Sequence, residues 1–139
     1  MHSSPLFYVF RLRAHEDLKR SILRFARDQQ INAGIILTCA GSVEQYNLRF
    51  ANQTEASAKK GFFEIVSLTG TFSRKGCHLH VSLSDSSGLT IGGHLLDETL
   101  IYTTAEIVVA SLPGLLFERE PDPTYGFLEL KVKKETDPL

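Results

Sequence analysis

The sequence predicts an α+β fold: a mostly antiparallel, strongly curved β-sheet with one main N-terminal helix and short additional helical segments. The helix is predicted over residues 16–30, where Leu18, Ile22, Phe25 and Ala26 recur at helical spacing on one face. Most later apolar segments are short, rich in β-forming residues and bounded by glycine or polar turns. A sheet therefore accounts for most of the chain.

The predicted strands follow one another closely. Interruptions by glycine, proline and short polar residues define their ends, with a loop over 52–61 and turns over 111–114 and 121–123. The strands cover residues 6–13, 34–40, 45–51, 62–70, 78–84, 89–96, 100–110 and 125–133.

The length of 139 residues predicts one domain over 1–139, with a core at about 5–133 and a flexible tail at 134–139. Fifteen basic and sixteen acidic residues leave a formal charge of −1. A dedicated DNA-binding domain usually carries a basic excess, so nucleic acid is not the partner that this charge favours.

Bulk features also predict the compartment. The apolar stretches are too short to span a bilayer, and residues 1–5 lack the features of a secretory signal, so we expect a cytoplasmic protein and no membrane partner. Cys39 and Cys77 are expected to be free thiols that fill the core, although the sequence does not exclude a disulfide between them.

Three histidines carry the strongest chemical signal. His78 and His80 are alternate residues of one predicted strand, so their side chains point to the same face, about 6.6 Å apart. Cys77, Leu79 and the following alternate residues face the other way, which excludes Cys77 as a co-ligand of this pair.

The third histidine, His94, is expected on the same face of the neighbouring strand. Residues 84–88 read as a hairpin turn, and pairing Leu83 with Leu89 unites the apolar stripe and places His78 opposite His94. A bulge at Gly92-Gly93 would instead turn His94 away.

Three neutral imidazoles on one face can hold zinc or another divalent transition metal and leave a fourth coordination position open. Such an ion can activate water or polarise a carbonyl. The alternative is that the histidines line a polar groove or a subunit interface without metal.

Three further polar residues are candidate catalytic groups. Glu64 interrupts an apolar strand and is either an exposed edge residue or a general acid/base. Glu106 lies among apolar neighbours, which suggests a functional role or an ion pair. Arg49 could pair with one of them or hold an anionic substrate in a bidentate fashion.

Several motifs together resemble the plant and prokaryote conserved domain family, in its stand-alone prokaryotic type. The resemblance extends over roughly residues 5–133. It rests on Gly41-Ser42, Leu48-Arg49 and residues 63–71, 76–80, 92–95 and 102–106.

This resemblance implies a homotrimer whose metal is held by the three histidines, so the expected partners are two further copies of the chain. The open metal position adds a small-molecule ligand as a further expected partner. It also implies a fold similar to that of acetolactate decarboxylase. Prokaryotic members are described as DNA-binding, and plant members carry an AT-hook whose Arg-Gly-Arg-Pro core this sequence lacks. Two functions stay open: a metal-dependent enzyme acting on a small carbonyl or carboxylate compound, and a DNA-binding or regulatory interaction module with structural metal or none.

Overall fold

The computed structural model describes residues 1–135, which form one helix and eight strands. Strands take up 61% of these residues and the helix 8%. In chain order the elements are β1 (Leu6–Arg13), α1 (Leu18–Asp28), β2 (Gly34–Arg49), β3 (Ser57–Ser73), β4 (Gly76–Ser84), β5 (Thr90–Leu95), β6 (Leu100–Ser111), β7 (Leu115–Pro121) and β8 (Leu128–Lys134).

Six strands form one antiparallel sheet in the order β1-β6-β2-β3-β4-β5. The last strand, β5, also pairs with the end of β2, through Leu48 opposite Leu95 and Arg49 opposite His94. This second pairing joins β2, β3, β4 and β5 into a closed circuit. The remaining two strands form the separate hairpin β7–β8.

The helix packs its apolar face on the sheet. Asp17 caps it by accepting a 2.9 Å hydrogen bond from the backbone N–H of Arg20. Leu18 and Ile22 are fully buried, and each such side chain contributes roughly 1.5–3 kcal/mol by leaving water. Phe25 stacks on Phe10 of β1 with ring centroids 4.1 Å apart. No helix in the described part of the chain has the length and apolar character needed to cross a bilayer.

The long strand β2 explains why the sequence suggests two strands where one exists. Its register with β6 shifts at three places, between Ile36 and Gln45, and such irregularities bend a strand sharply. A Cβ on Gly41 would lie 2.0 Å from the carbonyl oxygen of Thr104, so glycine allows β6 to pass at the bend. Gly41-Ser42 is therefore a bend within a continuous strand.

The predicted α+β class with short additional helical segments is wrong: within residues 1–135, α1 is the only helix and the fold is predominantly antiparallel β.

The segment after β6, expected to contain turns, instead forms β7. Leu115 and Phe117 alternate with more exposed neighbours and pack against Ala33. Phe117 also donates a backbone hydrogen bond to Asn32. The alternation in β7 involves only two buried residues. In the sequence, such a short pattern cannot be distinguished from a turn.

Several strand boundaries also differ: β3 ends at Ser73 and β8 begins at Leu128, three residues beyond the predicted positions in each case. Half of the predicted loop at 52–61 belongs to β3, which begins at Ser57. The predicted tail at 134–139 falls mostly on residues 136–139, which lie outside the described residues. Glu135, at its start, donates its backbone N–H to the carbonyl of Gly114.

The close approach of β3 and β4 beside His78 requires a glycine. Gly70 has a φ of 137°, and a Cβ there would lie 2.0 Å from the carbonyl oxygen of His78. We predict that Gly70→Ala lowers the free energy of unfolding by about 1–3 kcal/mol, measured by urea denaturation. Gly76→Ala is the control, because nothing lies within 4 Å of a Cβ there, and it should change stability by no more than about 0.5 kcal/mol. Equal losses in both variants would contradict this explanation.

Candidate metal centre

Strand alternation sets the direction of the first two histidines. On β4, Leu79, Val81 and Leu83 are at most 1% exposed and face the core. The intervening His78 and His80 therefore project from the opposite face, half-buried and exposed respectively. Their Nε2 atoms lie 3.1 Å apart.

The third histidine arrives on β5, in a register two residues from the predicted one. His80, and not His78, lies opposite His94, and Leu83 pairs with Ile91. The reason is the turn: the Asp85 carboxylate accepts hydrogen bonds from the backbone N–H groups of Ser87 and Leu89. Leu89 therefore belongs to the turn. A shift of two residues keeps each side chain on its face, so His94 still joins the other two.

Gly92-Gly93 does not form the bulge considered as an alternative, because the β4–β5 register continues through both residues. A Cβ on Gly93 would lie 2.8 Å from the carbonyl oxygen of Arg49. The glycine thus permits the approach of β2 that places Arg49 opposite His94.

One ligand nitrogen from each of His78, His80 and His94 lies within 4.8 Å of the other two. The ring centroids are separated by 4.8, 5.1 and 5.7 Å. In a tetrahedral site with metal–nitrogen bonds of about 2.0–2.1 Å, ligand nitrogens lie about 3.3 Å apart. The His78–His80 pair already has that spacing, and a ring nitrogen of His94 lies within 4.8 Å of both. The trio can hold a metal ion.

The environment of His78 and His94 favours the neutral imidazole, which is the form that binds metal. Burial, followed by the charges of His78 and Arg49, lowers the pKa of His94 to about 4. Burial and the neighbouring His80 also lower the pKa of His78. The Nδ1 atom of His94 is buried and has no hydrogen-bond partner within the described residues. A buried nitrogen without a partner is costly, and coordination would satisfy a ring nitrogen of this kind.

Three cavities adjoin the trio. The smallest, of about 210 Å³, is lined by His78 and His80. Arg49 lines both of the others. The larger of these two, of about 580 Å³, lies between His78, His94 and the β7–β8 hairpin. The other, of about 420 Å³, contains His80 and His94. Arg49 is thus the only one of the three candidate catalytic residues that borders these cavities, and its role remains a prediction.

The structure does not bring Glu64 and Glu106 to the histidines within one chain. Both side chains are exposed, and neither borders these three cavities. Glu64 lies opposite Ser42 and Ser84, whereas Glu106 lies opposite Arg11 and Ala40. Their catalytic role is untested.

Sequence reasoning missed three charged residues at the larger cavity: Lys75 between β3 and β4, Arg119 of β7 and Glu129 of β8. None belongs to a recognisable motif, and β7 itself was not predicted. The cysteines are free thiols, with Cys39 buried and Cys77 half-buried. Burial raises the pKa of Cys39 to about 12 and also raises that of Cys77, which disfavours the thiolate that metal ligation requires.

Acidification should destabilise the metal-free protein through His94. The unfolded chain protonates this residue near its ordinary pKa of 6.5, whereas the folded chain does so only near 4. The unfolded state therefore binds more protons between these values, and the free energy of unfolding falls as the pH decreases through that window. Denaturation of chelator-treated protein at several pH values measures the slope. His94→Gln should show a shallower slope, and an unchanged slope would contradict this assignment.

The sequence matches a known domain. Residues 3–113 match the Plants and Prokaryotes Conserved (PCC) domain. The bifunctional protein GlmU of Synechococcus sp. (strain JA-3-3Ab) is 46% identical over 127 residues, which cover 91% of this chain and 20% of that protein. The AT-hook motif nuclear-localized protein 2 of Arabidopsis thaliana is 30% identical over 127 residues, covering 84% of this chain and 37% of that protein. The chain thus spans only about a fifth to two fifths of these relatives.

Solved structures share the fold over nearly the whole chain. A hypothetical protein from Salmonella cholerae-suis has a TM-score of 0.96 at 34% identity, covering 98% of this chain and 99% of that one. A metal-containing protein from Archaeoglobus fulgidus has a TM-score of 0.77 at 29% identity, covering 91% and 93%. With the family match over residues 3–113, these findings confirm the resemblance noted in the motifs: the chain belongs to the Plants and Prokaryotes Conserved domain family.

Proposed function

We propose that this domain binds a zinc-type divalent metal ion through His78, His80 and His94. The observation that carries the proposal is the convergence of three imidazoles from two paired strands, with ligand nitrogens within 4.8 Å of one another. The structural relative from Archaeoglobus fulgidus is metal-containing, which supports the same role here. We place the protein in the cytoplasm, because both cysteines are free thiols.

The metal would serve an enzyme that acts on a small carbonyl or carboxylate compound. A bound zinc-type ion supplies a Lewis acid that polarises a carbonyl or lowers the pKa of a bound water. The three histidines leave a fourth position for that ligand. Arg49, opposite His94 and lining the two larger cavities, would orient a carboxylate through its guanidinium. Glu64 and Glu106 lie elsewhere on the outer face of the sheet, Glu64 opposite Ser84 and four residues along β4 from His80, so they could take part only if a second copy brought its histidines to them.

Assembly into a homotrimer is part of the proposal. The sheet face opposite α1 carries exposed apolar side chains, and the rings of Phe62 and Tyr102 contact one another across it at 4.5 Å. Glu64 and Glu106 alternate with buried residues and lie on this same outer face. An apolar face of this kind usually marks an interaction site. Its exposed members include Phe7, Val9, Leu37, Phe62, Val66 and Tyr102.

A DNA-binding or regulatory module is the second candidate. The Arabidopsis thaliana relative is an AT-hook motif protein, which favours this alternative, whereas a net charge of −1 does not. Fluorescence anisotropy with an A·T-rich duplex distinguishes the two functions. Binding that weakens steeply with salt would favour the module, and no binding at low salt would favour the enzyme.

Removing one imidazole should abolish stoichiometric metal binding. We predict that zinc falls from one ion per chain to trace amounts in His80→Ala, because two ligands do not hold zinc against buffer and water. Elemental analysis of the purified protein measures this. His15→Ala is the matched control, since His15 is exposed and its Nδ1 contacts Glu44 at 2.6 Å, outside the trio. Full zinc content in His80→Ala would remove His80 from the site.

The trimer is tested by light scattering. We predict a mass three times the 15.5 kDa of one chain at micromolar concentration, and a smaller mass for Phe62→Glu, which places a charge on the apolar face. Tyr125→Glu is the control, because Tyr125 is 80% exposed in the turn between β7 and β8. A monomeric wild-type chain would contradict the assembly.

A further inference from the structure

The cavity of about 580 Å³ is a cleft between the histidine trio and the β7–β8 hairpin. Its volume is within the usual range for small-molecule sites. The β2 end supplies Arg49, and the hairpin supplies Arg119, Phe127, Leu128 and Glu129. The cleft is thus made by two parts of the fold that meet beside His78 and His94.

Arg119 lines this cleft and is held by a side-chain hydrogen bond. Its Nη2 donates a 2.7 Å hydrogen bond to Oγ1 of Thr71. Thr71 lies opposite His78 in the β3–β4 ladder, so this contact fixes the guanidinium beside the histidine. One hydrogen bond leaves most of the five N–H donors of an arginine available.

The neighbouring lysines are used differently. Lys75 contacts Glu118 at 3.0 Å, Lys131 contacts Glu120 at 2.5 Å, and Lys133 contacts both carboxylates. Arg119 lies between these two glutamates in sequence, yet it has no ion pair with any residue in the described range 1–135. Lys75, Lys131 and Lys133 are thus paired with carboxylates, whereas this guanidinium is free of an ion pair within the same residues.

Arg49 is equally available on the other side of the cleft. The only hydrogen bond of its guanidinium within residues 1–135 is a long one, 3.5 Å, to the carbonyl of Gln53. A divalent ion on three neutral imidazoles would add two positive charges between these arginines. Glu129 is the one carboxylate that lines the cleft, so a positive excess would remain. Coulomb's law favours an anionic ligand at such a site.

Two apolar side chains at the mouth restrict the kind of anion. Phe127 and Leu128 are 61% and 60% exposed, and both line the cleft. They offer contact surface to a hydrocarbon group and nothing to a fully polar ion such as phosphate. An arginine fork matches the planar geometry of a carboxylate.

We propose that this cleft binds a small organic acid, whose carboxylate pairs with Arg119 and Arg49, whose adjacent carbonyl oxygen reaches the metal, and whose short hydrocarbon chain rests on Phe127 and Leu128. The carbonyl part of this statement rests on the metal site proposed above. The carboxylate part rests on the two free guanidinium groups and is tested separately.

The probe is 2-oxobutanoate, titrated into protein loaded with Co²⁺ and followed by the visible absorption of the metal. The spectrum should change with saturation, because the carbonyl oxygen enters the open position. Butanone, which lacks the carboxylate, should bind at least 10-fold more weakly. Equal binding of butanone, or tighter binding of inorganic phosphate than of 2-oxobutanoate, would overturn the proposal.

Arg119→Met should weaken 2-oxobutanoate binding by about 10–100-fold, the usual loss for a charge-assisted hydrogen bond, while cobalt stoichiometry and thermal stability stay unchanged. Arg119→Lys should recover only part of the affinity, because an ammonium group lacks the bidentate fork. Arg74→Met is the matched control: it removes the same charge beside Lys75 from an exposed side chain that does not line the cleft. An equal loss in Arg74→Met would overturn the role of Arg119.

Calorimetry on the metal-free protein separates the two proposals. If wild-type protein takes up no cobalt, the metal site fails. Binding of 2-oxobutanoate that disappears in Arg119→Met would then still support the carboxylate cleft. If cobalt binds but 2-oxobutanoate does not, the metal site stands and the cleft proposal fails.

Discussion

His80 and His94 face one another across the β4–β5 ladder, and this pair determines where the other groups of the site lie. His78 follows because it is two residues from His80 on the same strand. Arg49 follows because β5 also pairs with β2, with Arg49 opposite His94. The core residues Leu79, Val81 and Leu83, each no more than 1% exposed, fix the face of β4 and thereby the direction of the imidazoles.

The sequence predicted the site better than it predicted the surroundings. Strand alternation placed His78 and His80 on one face, and an even register error left His94 with them. The register error itself arose in the turn, because the hydrogen bonds that the Asp85 carboxylate accepts from Ser87 and Leu89 depend on side-chain geometry that residue spacing does not reveal.

The resemblance to the conserved domain family was confirmed by the match over residues 3–113, whereas the similarity to acetolactate decarboxylase stays a prediction.

The fold class was wrong for a physical reason. Helix α1 has a clear apolar face and was predicted within two residues at each end. Strand β7 buries only Leu115 and Phe117, next to a proline-containing turn, and its main partner β8 lies later in the chain. The buried side chains of β7 pack against Ala33, which is distant in sequence, and such a contact is not encoded in local periodicity. Arg119, which lies on β7, was missed with the strand that carries it.

The short contact between β2 and β5 has a thermodynamic consequence. It consists of two residue pairs, and Gly93 brings the strands so close that a methyl group would meet the Arg49 carbonyl at 2.8 Å. Arg49 and His94 therefore share a backbone contact, through which a ligand on one residue would be coupled to a ligand on the other. Linkage requires any such coupling to be reciprocal. A cation on His94 and an anion on Arg49 would then change each other's affinity by the same factor.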